Sequence, residues 1–198
     1  MNSTGCRPLT PNEWQQVLNG LTGRHSIRDT ALIVLGTKSG FRIAELLSLR
    51  VRDVVMDGEI RKSVTVHAAQ MKGHAEARTV PMNPTAAEAL WQWLVFSGML
   101  DPQHMDSALF PRQGHTASMT TRRAYGIIIS AVSAVGLSTD RVGTQSLRKT
   151  FATSCWQHPA VNGDTVKMAK LLGHKNFSNT LKYIEFLDGS LEKTIQEI

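Results

Sequence analysis

The chain reads as a mainly α-helical domain with one small antiparallel β-sheet, an α+β arrangement. Three observations predict this. Apolar residues recur at helical spacing through most of the 198 residues. The period switches to alternation only in Ser63–Ala68 and Arg78–Met82, which flank the polar turn Lys72-Gly73-His74-Ala75-Glu76. Hydrophobic content of 41% over this length supports a buried core without disulfide or metal staples.

Taken in order, Thr10-Pro11-Asn12-Glu13 marks a helix start, with Thr10 as N-cap, Pro11 in the first turn and Glu13 at the capping-box position; this helix runs to about Leu21. A second helix, Ser26–Lys38, carries an apolar face of Ala31, Leu32, Val34 and Leu35. A third, Arg42–Leu49, turns Ile43, Leu46, Leu47 and Leu49 inward. The two short strands follow. The pattern is then helical over Thr85–Gly98, Thr120–Val135, Leu147–His158, Asp164–Leu172 and Ser178–Phe186. Asp164 caps the fourth of these at its start, and Gly173 stands where a left-handed C-cap residue belongs. Ser178 caps the last, which places Tyr183 inside it. In the tail, Leu191, Ile195 and Ile198 share one face.

Lys and Arg total 22 against 16 Asp and Glu, a net charge of +6, which favours a polyanionic partner such as nucleic acid. Cys6 and Cys155 are far apart and match no zinc or redox spacing. A reducing cytoplasm is the simplest compartment. Met1–Pro8 lacks the apolar run of a signal peptide, and no stretch reads as a membrane span.

Chemistry-bearing residues concentrate in four places. Arg42 lies in Ser39-Gly40-Phe41-Arg42-Ile43-Ala44-Glu45-Leu46. Lys72 sits in the turn between the strands. Arg148 lies in Thr144-Gln145-Ser146-Leu147-Arg148-Lys149-Thr150-Phe151. His174 ends Leu171-Leu172-Gly173-His174, nine residues before Tyr183. Attack on a phosphodiester by a protein hydroxyl loads charge onto the non-bridging oxygens, and arginine offers them a planar, permanently charged fork of donors. A lysine can protonate the leaving oxygen, and a tyrosine can form the covalent ester. No clustered carboxylates suggest a metal-dependent alternative, and no cofactor is called for.

Gly40-Phe41-Arg42-Ile43-Ala44-Glu45-Leu46-Leu47-Ser48-Leu49 resembles the first arginine box of the tyrosine recombinase, or phage integrase, family. Met71–Pro81 resembles the family's β-hairpin, with Lys72 at its catalytic lysine. Gln145-Ser146-Leu147-Arg148 resembles its H-x-L-R box, and Leu172-Gly173-His174 with Tyr183 matches its last motif and nucleophile. The resemblance runs from about Leu9 to Ile184 and implies the tyrosine recombinase catalytic-domain fold. It also implies roles. Arg42 and Arg148 clamp the scissile phosphate, Lys72 is the general acid, and His174 donates to a phosphate oxygen or positions the tyrosine. Tyr183 forms a 3′-phosphotyrosyl bond and frees a 5′-hydroxyl, while Glu45 orients Arg42.

Two positions depart from the family pattern. Gln145 replaces the usual histidine; its amide can donate a hydrogen bond but cannot carry charge or shuttle a proton. The chain begins about forty residues before Arg42, so the resemblance implies one catalytic domain over residues 1–198 without the usual N-terminal core-binding domain. Such a chain is either naturally short or part of a longer protein. His74, Arg122, Arg123, Lys149, Lys175 and Lys182 are candidate DNA contacts. The implied function is site-specific recombination of duplex DNA, as in integration or excision of mobile DNA. The implied partners are double-stranded DNA, further copies of the chain in a synaptic tetramer, and accessory DNA-bending proteins. Two alternatives share the fold: a DNA-binding regulator weakened in cleavage by Gln145, and a type IB topoisomerase. Tyr125, the other of the chain's two tyrosines, reads as a packing or DNA-backbone residue.

Overall fold

The computed structural model describes residues 5–67, 77–112 and 117–174, together with Ser178, Thr180 and Tyr183. Its elements, in chain order, are α1 (Pro11–Gly20), α2 (Ser26–Ser39), α3 (Ile43–Ser48), α4 (Val51–Val54), β1 (Val55–Met56), β2 (Glu59–Ile60), β3 (Ser63–Val66), β4 (Arg78–Pro81), α5 (Pro84–Ser97), α6 (Thr121–Ala134), α7 (Thr144–Trp156) and α8 (Thr165–Leu172). Ser178, Thr180 and Tyr183 are helical.

The caps behave as their chemistry requires. Thr10 accepts from the Glu13 amide while the Glu13 carboxylate accepts from the Thr10 amide, so two otherwise unpaired donors are satisfied together. Arg7 pairs with Glu13 at 2.8 Å, and its hydrogen bond holds that carboxyl below its usual range. Asp164 accepts from the Val166 and Lys167 amides and starts α8; Gly173 ends it in the left-handed conformation.

The structure corrects three expectations. α2 is buried nearly all round, with Ile33, Gly36 and Thr37 also enclosed, rather than on a single face. It is the central helix, packed against both α5 and α7. α7 begins at Thr144, three residues before the expected start, and so carries Gln145 on its first turn. The described residues form two two-stranded antiparallel sheets rather than one. β3 and β4 pair as expected, Ser63 with Pro81 through Val66 with Arg78, but β1 and β2 form an additional hairpin. Its turn is Asp57-Gly58, both at positive φ, which is the geometry a two-residue hairpin turn needs. The turn carrying Lys72 and His74 lies outside the described residues, as do Lys175, Lys182 and the tail from Leu191 to Ile198.

The main core joins α2, α3, α5 and the β3–β4 sheet through Leu32, Leu35, Phe41, Leu46, Val64, Val80, Leu90 and Leu94. A second cluster packs α1, α6 and α7 around Ile33, and a third, Ala152, Val161, Met168 and Leu172, locks α8 onto α7. The arginine box therefore sits where α2 ends, between two cores.

Gly40 makes that turn. It sits at φ +63°, and a Cβ there would come within 2.3 Å of the Phe151 ring on α7. Gly98 has a similar φ of +69° but open space around it. Gly98→Ala should therefore cost about 1 kcal/mol, from backbone strain alone, whereas Gly40→Ala should cost about 2–4 kcal/mol because it also forces α7 away. Denaturant unfolding of the two variants measures the difference; equal losses would show that the close approach to Phe151 carries no weight.

Candidate active site

Three chain segments meet at the carbonyl end of α2. The first is the Gly40 turn leading into α3. Arg42 precedes α3 with extended backbone, and its amide donates to Glu45 Oε2 at 2.7 Å. The Arg42 guanidinium donates to Glu45 Oε1, also at 2.7 Å. Glu45 is buried, whereas the Arg42 side chain is 45% exposed. The carboxylate thus fixes a guanidinium whose outer edge faces solvent, a geometry suited to receiving an anion.

The second segment is α7. Arg148 is only 1% exposed, the largest fully buried side chain among the described residues. Its Nη1 donates to the Gly40 carbonyl; its Nη2 donates to Leu172 O at 2.7 Å and contacts His174 Nε2 at 3.0 Å. Burial and the Arg42 charge lower its pKa, while Tyr183 and Glu45 pull the other way. Arg148 thereby ties the α2 turn to the end of α8.

The third segment begins at that end. Gly173 reverses the chain and delivers His174, whose amide bonds back to Ala169 O. A guanidinium can only donate, so the contact from Arg148 makes Nε2 of His174 an acceptor. The ring proton then lies on Nδ1, 2.9 Å from the buried Thr180 hydroxyl. Burial, then the charges of Arg148, Arg42 and Arg78, push the His174 pKa down to about 4. The Tyr183 ring meets His174 edge-on, with centroids 5.3 Å apart and planes at 60°. Tyr183 also packs on the α7–α8 cluster with Phe151, Cys155 and Trp156.

The depressed His174 pKa has a sign that can be tested. Between pH 6.5 and pH 4 the unfolded chain binds a proton that the folded chain refuses. Stability is therefore fully present above about pH 6.5 and falls toward pH 4, by about 1–2 kcal/mol once the ring's partial contact with water is allowed for. Replacing His174 with Asn should flatten the stability curve in this window. An unchanged slope would mean that His174 titrates normally.

The structure brings Arg42, Glu45, Arg148, His174 and Tyr183 together. Gln145, on the first turn of α7, is exposed. Lys149 is half-buried and lies 6.0 Å from the Tyr183 ring centroid, in the range of a cation–π contact, and burial lowers its pKa. Arg122 and Arg123 are exposed at the start of α6, and Arg123 lines an open cleft of about 390 Å³ with Arg28 and Arg112. Lys72, His74, Lys175 and Lys182 lie outside the described residues. Tyr125 is 48% exposed on α6. One residue of the cluster escaped sequence reasoning. Arg78, at the start of β4, reaches Glu45 at 3.8 Å and the carbonyls of Ser39, Gly40 and Leu171.

Residues 7–188 match the model of the phage integrase family. The chain belongs to that family. Similar proteins include the tyrosine recombinase XerD of Rickettsia bellii (strain RML369-C), 28% identical over 172 residues, which span 85% of this chain and 55% of XerD. The tyrosine recombinase XerC of Vibrio vulnificus (strain YJ016) is 32% identical over 164 residues, covering 80% of this chain and 46% of XerC. The chain thus spans about half the length of these family members. Among solved structures, XerA recombinase superposes with a TM-score of 0.73 at 22% identity, over 100% of this chain and 65% of XerA. XerH site-specific recombinase, bound to palindromic difH substrate in a post-cleavage complex, superposes with a TM-score of 0.72 at 21% identity, over 98% and 55% of the two chains. At these identities the superpositions establish the fold: a tyrosine recombinase catalytic domain, mostly helical with two small sheets among the described residues.

Proposed function

We propose that this domain cuts and rejoins duplex DNA through a 3′-phosphotyrosyl intermediate, as in site-specific integration or excision of mobile DNA. The observation that carries this reading is the convergence of Arg42, Arg148, His174 and Tyr183 from three separate segments onto the Gly40–Leu172 region. Tyr183 attacks phosphorus as the bond to the 5′ oxygen breaks, and Lys72 supplies that oxygen's proton. Arg42 and Arg148 balance the charge on the non-bridging oxygens. His174 is neutral at pH 7, so it acts as a hydrogen-bonding group rather than a cation. Arg148 is enclosed beside His174 and Tyr183, so phosphate reaches it only as these two rings shift.

Duplex DNA is the partner this reading requires, and the XerH complex and the Tn1549 transposon integrase bound to transposon right end DNA support it by fold. Arg122, Arg123, Lys149, Lys175, Lys182 and His74 are proposed to contact DNA, Gln145 to donate its amide to phosphate, and strand exchange to occur in a tetramer. The test is incubation with a nicked suicide substrate in EDTA, followed by denaturing electrophoresis. A protein–DNA adduct is expected. Sequence-specific binding with no adduct would instead identify a regulator, and supercoil relaxation without recombinants a topoisomerase.

A further inference from the structure

We propose that Arg78 is a positioning residue of this active site: a buried strut that holds the Arg42 turn and the His174 turn at fixed separation. The inference deepens the reading above and rests on it for its effect on DNA cleavage. Arg78 enters from a different element, β4, six residues after Lys72. Its side chain is 11% exposed. Nη1 donates to Gly40 O at 3.4 Å, and Nη2 donates to Ser39 O at 3.2 Å and to Leu171 O. The guanidinium also lies over the Phe41 ring at 5.3 Å and pairs with Glu45.

This arrangement parallels that of Arg148. Arg148 bridges Gly40 O to Leu172 O, and Arg78 bridges Ser39 and Gly40 to Leu171. Two guanidiniums therefore span the same gap between the end of α2 and the end of α8. The fit is tight from the other side as well. A Cβ on Gly173 would lie 2.7 Å from Arg78 Cδ, so the glycine before His174 makes room for this side chain in addition to supplying positive φ. Only arginine reaches several carbonyls at once through a planar fork; lysine retains the charge and loses the fork. Because its donors are taken up by backbone and it is nearly enclosed, Arg78 orients the groups that meet phosphate instead of meeting it. Its charge also helps to keep His174 neutral.

Arg78→Gln and Arg78→Lys separate these contributions without any dependence on DNA. In Arg78→Gln, hydrogen exchange at the Gly173 and His174 amides should accelerate about tenfold or more. The His174 ring should titrate higher by about half a pH unit, read by NMR. Arg78→Lys should show the faster exchange but little change in titration, and it carries the test should the Gln variant not fold. With suicide DNA, both should cleave about 10- to 100-fold more slowly while binding nearly as tightly as the parent. Unchanged exchange at Gly173 and His174 would overturn the proposal. So would a large loss of DNA affinity with exchange unaltered, which would make Arg78 a phosphate contact. If the parent forms no adduct but the exchange and titration changes appear, the recombinase reading fails while the strut stands.

Discussion

Tyr183→Phe is expected to abolish covalent capture of suicide DNA while leaving fold and DNA affinity nearly intact. The substitution deletes one oxygen from a half-buried ring. The ring keeps its packing on Ala152, Met168 and Leu172 and its edge-on contact with His174. Stability should change by about 1–2 kcal/mol, because no apolar surface is lost but the hydroxyl's hydrogen bond with the buried Arg148 guanidinium is. Chemistry should vanish, because the ester oxygen is the one removed and no other group can take its place. Tyr125, the other tyrosine, is exposed on α6, outside the cluster formed by Arg42, Arg148 and His174. Adduct formation by Tyr183→Phe at a rate near the parent's would remove the nucleophile assignment.

Arg148→Met should show the second largest effect, in two measurements. Cleavage should fall by about 100- to 1000-fold, the loss typical of one missing donor at a developing oxyanion. Stability should fall by about 2–4 kcal/mol, since the Gly40 and Leu172 carbonyls lose a buried charged donor. Part of that loss is offset, because removing one cation relieves repulsion with Arg42. Arg148→Lys should recover some stability and little activity, as an ammonium cannot span both carbonyls. The rate is to be measured by quench-flow on nicked DNA and the stability by urea unfolding. A cleavage rate within tenfold of the parent would show that the buried guanidinium is only a brace.

Much of this architecture was legible in the chain because local signals agreed with tertiary ones. Thr10, Asp164 and Gly173 mark helix ends through capping chemistry that does not depend on neighbours. The β3–β4 pair was visible from alternation alone. The β1–β2 hairpin was overlooked although its signal, Asp57-Gly58, is present; strands of two residues are too short to show a period. The start of α7 was misplaced because Thr144, Gln145 and Ser146 are polar, while what holds that turn is Ser146 Oγ accepting from the Gly143 amide. α2 read as one-sided because spacing cannot reveal that cores lie on both sides.

The site shows the same division. Arg42, Arg148, His174 and Tyr183 stand in recognisable boxes. Arg78 opens a strand just after a polar turn, and such a charge usually faces water. Its burial follows from the carbonyls of α2 and α8 pointing at it, which is a tertiary fact. The enclosure of Arg148 was equally hidden, since the chain alone does not show which carbonyls close around its guanidinium.

The proposed strand exchange depends on Tyr183 becoming covalently joined to DNA. The most direct measurement is peptide mass spectrometry of the trapped adduct after nuclease trimming. A nucleotide mass on the peptide containing Tyr183, linked through a 3′-phosphate, with a free 5′-hydroxyl on the released strand, is the predicted result. The same mass on Tyr125 or on a serine, or a 3′-hydroxyl in place of the 5′-hydroxyl at the cleaved end of the released strand, would contradict it.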